Sequence, residues 1–256
     1  MSFFPQFRWP ILGGVLLIIL THSVSQANPT LSELRWYSEE YAPLNFSGEE
    51  GVPTGITVDL LQAMMHYLDE PFDPATIQIL PWARGYRIIQ EQPNTCLFGT
   101  NITETRRELF HFIGPAVDNW VTVIAPRAAA LSINTIDELS TLSIGVVRED
   151  IGELLLLEAG VEADLVRSDS ARSLIRMLAA GRFEAIAYGE LVTFWTLQTE
   201  GITPEDYETV YVLSEGVMGY ACHRDTDPTL LARLQQALDE LRANGTAQTI
   251  RQRYTQ

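Results

Sequence analysis

The segment FGTNITETRRELF, Phe98 to Phe110, gathers residue types that hold anions. Gly99, Thr100 and Asn101 follow an apolar run, where a strand should end and leave backbone N–H groups free. Asn101 or Thr103 can cap a helix starting there, and Glu104 adds an acid to its first turn. Arg106 follows Asn101 by five residues, and a guanidinium offers a carboxylate two parallel charge-assisted hydrogen bonds. The segment therefore has two local readings. It is a capped helix with Arg106 and Arg107 both solvated, or a cradle for a carboxylate.

Other chemistries find little support. His22, His66, His111 and His223 lack ligand spacing, the two cysteines are far apart, and no G-x-S-x-G elbow occurs. All 17 basic residues are arginine, which removes Schiff-base lysines and P-loops. Nothing in the chain calls for a metal or cofactor. A formal charge of −16 argues against nucleic acid or anionic lipid as a partner.

The start of the chain reads as an export signal. Arg8 precedes the apolar run Ile11 to Leu20, and Ser25 and Ala27 are small residues suited to cleavage after Ala27. The run is short for a bilayer span. Loss of residues 1–27 removes Arg8 and no acid, so the charge becomes −17 over 229 residues. The expected product is exported, without membrane insertion, and monomeric. Cys96 and Cys222 lie in the apolar segments TCLF and YACH, which fits buried free thiols better than a bridge.

Strand-like and helix-like segments then alternate. ELRWYS, TIQIL and CLFG read as strands, with helices over GITVDLLQAMMHYLD and PWARGYRIIQEQ. In the first helix Leu60, Met64, Tyr67 and Leu68 share a face. After IGPAVDNW the pattern restarts with VTVIAP, LSIGVV, ADLVRS and FEAIAYG as strands, a helical turn at TIDELS and helices between. ETVYVLS and GVMGYACHR follow as two strands, and two terminal helices close the chain. The stripe Leu230, Leu234, Leu238 and Leu241 needs a surface to bury it. Two consecutive α/β units imply two lobes and a cleft between them, with the last helices returning to the first lobe.

The order YSEEYAPLNF, GVPTGITVDLLQAMMHYL, GTNITETRRELFHFIGP, then LSIGVVREDIGELL, AAGRFEAIAYGE and LARLQQALDELRANGTAQTIRQRY, resembles the bacterial extracellular solute-binding proteins of family 3. The likeness covers essentially all of the chain beyond residue 27. It implies a two-lobed periplasmic-binding-protein-like α/β fold (type II), two sheets wrapped by helices and joined by two hinge strands. Residues 28–117 and 223–256 would form lobe 1, and 118–222 lobe 2. Tyr41 matches an aromatic over the ligand, Gly99 and Asn101 match donors to its carboxylate with Thr100 between them, and Arg106 matches the pairing arginine. Trp82 and Arg84 fall where relatives place cleft residues, with core packing an equal alternative for Trp82. Trp120 is either a cleft aromatic or hinge packing.

The second lobe departs from that pattern. REDIG, with Arg148, Glu149 and Asp150 at a helix start, replaces a small hydroxyl motif. Gly189 stands where relatives carry an Asp for a ligand ammonium, so Tyr188 and Glu190 become the candidates for that wall. For Glu190, a helix-start acid favoured by the dipole is an equal reading. The resemblance implies a periplasmic protein that captures an amino acid or other small carboxylate by hinge closure, serving an ABC permease or a membrane sensor or chemoreceptor. The alternative is a cyclohexadienyl-dehydratase-like enzyme on the same scaffold, with Glu149 or Glu190 as its acid.

Overall fold

The computed structural model describes Met1 and residues 30–255, so the expected signal, residues 1–27, lies outside the described residues apart from Met1. The chain opens with strands β1 (Arg35–Ser38), β2 (Phe46–Ser47) and β3 (Pro53–Thr54), then helix α1 (Ile56–Tyr67). Strand β4 (Gln78–Ile79), α2 (Trp82–Glu91), β5 (Thr95–Asn101) and the short α3 (Glu104–Leu109) follow. The long β6 (Phe110–Pro126) leads to β7 (Ser143–Val147), α4 (Ile151–Glu158), β8 (Asp164–Ser168) and α5 (Ala171–Ala179). Next come β9 (Ala185–Gly189), α6 (Glu190–Thr199) and the long β10 (Tyr207–His223), and the chain ends in α7 (Pro228–Ala243) and α8 (Thr246–Thr255).

Eight strands form one ladder in the order β4-β1-β5-β10-β6-β9-β7-β8, and β2 and β3 pair separately. β4, β1 and β5 run parallel at one end, and β9, β7 and β8 run parallel at the other. The two strands between them, β6 and β10, each span 17 residues and pair antiparallel from Phe110↔His223 to Tyr207↔Pro126. The two sheets expected from the sequence are thus the halves of a continuous ladder, linked through this pair. ETVYVLS and GVMGYACHR are one strand, because Glu215 between them pairs with Trp120 in unbroken register.

Helix packing follows the apolar periodicity, with one correction. Leu60 and Met64 are buried, but Tyr67 is 48% exposed, because the buried face of α1 centres on Leu61 and Met65. Leu230, Leu234, Leu238 and Leu241 are all buried, and α7 packs on α1 and β6. Burying four such leucines contributes about 1.5–3 kcal/mol each. The Tyr254 hydroxyl on α8 bonds Asp59 at 3.0 Å, fastening the last helix to α1.

The expectation of free thiols is overturned. Cys96 on β5 and Cys222 on β10 stand directly opposite in the ladder and form a disulfide. The pairing depends on the register of strands 126 residues apart, which the local segments do not carry.

Candidate functional site

The predicted cradle is built where β5 runs into α3. Thr103 caps α3 by accepting from the Arg106 N–H at 3.2 Å. Gly99 takes φ +57°, and a Cβ there would lie 2.6 Å from Asn45 Oδ1, so both its conformation and its contact require glycine. Arg106 is only 1% exposed. Its guanidinium carbon sits 5.1 Å from the Trp82 ring centroid and 5.4 Å from that of Tyr86, residues one turn apart on α2. One nitrogen, Nη1, donates to the Asn101 carbonyl at 3.4 Å, while Nε and Nη2 have no hydrogen-bond partner. A guanidinium laid over two neighbouring rings with two donors unspent is a prepared anion anchor.

The loop after β1 supplies the next wall. The Tyr41 N–H donates to the Asn45 carbonyl, and Asn45 Nδ2 donates to the Glu39 carbonyl at 3.1 Å, so Asn45 holds both residues in place. Glu39 and Tyr41 are buried. Across from them, Glu149 adopts φ +58° at the turn into α4 and its carbonyl accepts from Trp82 Nε1 at 2.9 Å. Asp150, the next residue, is buried and begins α4. Tyr188 on β9 meets Tyr41 edge-to-face at 5.3 Å. Gly189 lets this contact form, since a Cβ there would lie 2.2 Å from the Tyr41 hydroxyl. Asn119 of β6 closes the floor, donating to Asn101 Oδ1 at 3.1 Å. The two halves therefore meet face to face and the cleft is shut.

Its electrostatics are unbalanced. Burial, reinforced by the Asp150 charge, raises the Glu39 carboxyl well above the usual carboxylate range, with Arg106 only partly offsetting this. Burial also raises Asp150, against the pull of Arg106. Tyr41 and Tyr188 are raised well above ordinary phenols, chiefly by burial, so both stay neutral donors. Their hydroxyls and Asp150 Oδ2 are buried without hydrogen-bond partners.

Of the residues singled out in the sequence, Tyr41, Trp82, Gly99, Asn101, Arg106, Asp150, Tyr188 and Gly189 converge here. Thr100 is buried too, but its hydroxyl turns back to the carbonyls of its own strand. Arg84 is exposed on the first turn of α2. Arg148 is a correction: it points outward to an ion pair with Asp169 at 3.2 Å, because the turn at Glu149 sends its neighbours to opposite sides. Glu190 is another: its Oε1 accepts from the Thr209 hydroxyl of β10 at 2.6 Å instead of facing the cleft. Glu149 is exposed as well. Trp120, 46% exposed, joins Glu190, Asp118 and Phe194 in a separate crevice of about 470 Å³ beside the long strands. Sequence reasoning missed Glu39, Tyr86, Asn45 and Asn119. Tyr86 was legible as the residue four beyond Trp82, and Glu39 as an acid two before Tyr41.

No group of three His, Cys, Asp or Glu side chains among the described residues is placed to hold a metal ion. No helix among them is long and apolar enough to cross a membrane. The model of the bacterial extracellular solute-binding proteins, family 3, matches residues 36–256. No curated protein matches the chain. Among solved structures, a histidine-bound substrate-binding protein of an ABC uptake transporter from Streptococcus pneumoniae superposes with TM-score 0.76 at 16% identity, covering 87% of this chain and 92% of the other. A histidine kinase sensor domain similar to periplasmic binding proteins gives 0.75 at 21%, covering 87% and 97%. An ancestral amino-acid-binding protein described as a precursor of cyclohexadienyl dehydratase gives 0.71 at 18%, covering 88% and 99%. At these identities the likenesses establish the fold.

Proposed function

The chain belongs to the bacterial extracellular solute-binding proteins, family 3, and from that membership we propose that it captures a small carboxylate-bearing solute, of the amino-acid type, in the periplasm. The two lobes, 28–117 with 223–256 and 118–222, close on the solute by flexing β6 and β10. The observation that carries this reading is Arg106, buried against the rings of Trp82 and Tyr86 with two guanidinium donors unspent. Contacts from both lobes favour the closed state when the solute supplies what these donors lack. The closed protein then docks on an ABC permease or a membrane sensor, partners that the likenesses support equally.

The test is binding by calorimetry to protein refolded free of small molecules, using a panel of amino acids and small carboxylates. Arg106→Ala is expected to weaken any carboxylate ligand by about a hundredfold, the scale of a lost charged hydrogen-bond pair. Arg106→Lys should not restore it, because an ammonium lacks the planar fork that lies over the rings and offers a carboxylate two parallel donors. Retained affinity in Arg106→Ala would sink the anchor assignment. One observation favours an enzymatic reading: Glu39, a buried acid with a raised proton affinity, lies in the same cleft as Arg106. Conversion of prephenate to phenylpyruvate, absent in Glu39→Gln, would replace capture with catalysis.

A further inference from the structure

Three formally charged side chains are sealed in the cleft. Arg106 is 1% exposed, Asp150 4% and Glu39 7%, with Arg106 from α3, Glu39 from the loop after β1 and Asp150 from the start of α4. Among the described residues none of them forms an ion pair within 4 Å, yet Glu39 feels the charges of Asp150 and Arg106, and Asp150 that of Arg106. The remaining charges nearby do not alter the balance. Glu153, behind Asp150, is paired with Arg167 at 2.5 Å, and Glu40, behind Glu39, is exposed and bonded to Ser47. Tyr41 and Tyr188 are neutral. With both acids ionised the sealed cleft carries one net negative charge, and an unpaired buried charge is costly.

A carboxylate alone on Arg106 would worsen that imbalance, and a neutral zwitterion would leave it unchanged. A solute with one carboxylate and two cationic groups removes it. We propose that the cleft selects a solute with one carboxylate and an overall positive charge, such as a basic amino acid. Arg106 takes the carboxylate, while Glu39 and Asp150 take the cationic groups. This specificity rests on the capture reading above and assigns Glu39 and Asp150 as its determinants. The tyrosine hydroxyls donate and the aromatic faces accept a flat or methylene-rich stem.

Arginine and citrulline test it directly, because they share length and shape and differ in one positive charge. L-arginine is expected to bind the purified protein at least about tenfold more tightly than L-citrulline, a difference of about 1.4 kcal/mol. One of Glu39→Gln and Asp150→Asn should pull the arginine affinity toward that of citrulline and leave citrulline little changed, while the other, which removes the partner of the α-ammonium common to both, should weaken the two alike. Both substitutions are isosteric, and the wild-type ratio stands as the test if either variant fails to fold. Equal or tighter binding of citrulline overturns the proposal. Binding of L-glutamate or succinate in preference to arginine overturns it too, while leaving carboxylate capture intact. If none of the four binds, the capture reading falls with it.

Discussion

Arg106 is gripped more than it is paired. Two rings hold its guanidinium in place while two of its nitrogens stay uncommitted, so its geometry is fixed before any solute arrives. Spacing alone left this arginine open between a solvated charge and an anchor, and the family resemblance favoured the anchor. The rings that hold it come from another helix, and Glu39 comes from a loop, so neither could be read from the same segment. Gly189 matters for the opposite reason, by what it leaves out. A methyl group there would collide with the Tyr41 hydroxyl, 2.2 Å from the Cβ position. Gly189→Ala is therefore expected to lower stability by about 1–3 kcal/mol through overpacking. It should also prop the cleft open, seen as a larger radius of gyration by solution scattering of the ligand-free protein. An unchanged radius would show that Tyr41 can move aside within a closed cleft.

At the scale of elements, β6 and β10 do two things at once. They are the centre of the ladder and its link, with β10 pairing to β5 of one end and β6 to β9 of the other. The disulfide joins β10 to β5 near the end of that strand, so one connection is tied to the first half. The cross-link closes a loop of 126 residues that contains the whole of the second half. In the chain-entropy view, such a loop stabilises by up to about 5 kcal/mol. Replacing Cys96 and Cys222 together by alanine is expected to cost about 2–5 kcal/mol in denaturant unfolding. A loss below that range would mean that the unfolded chain is already compact.

For the whole molecule, folding is coupled to proton uptake at the buried acids. Glu39 and Asp150 hold protons more tightly in the fold than in the unfolded chain, so the folded state binds the larger number. The corresponding stability is complete below the ordinary carboxylate range, about pH 4, and is lost as pH rises through the raised value of Glu39. Thermal melts of the ligand-free protein from about pH 4 to 8 should show Glu39→Gln gaining on the wild type as pH rises. A constant gap would place the Glu39 charge in contact with solvent. The apolar periodicities, the restart of the α/β pattern and the order of motifs together specified the two-lobed architecture, because each is a local property repeated along the chain. The leucine stripe of α7 likewise announced a buried face, and the helix found it on α1 and β6. What only the tertiary structure decided lies between distant segments: the Cys96–Cys222 bond, the outward turn of Arg148 and the attachment of Glu190 to β10. Glu39 and Asp150 belong with them, since their meeting with Arg106 depends on strand register and lobe closure, and neither is encoded in any stretch of neighbouring residues.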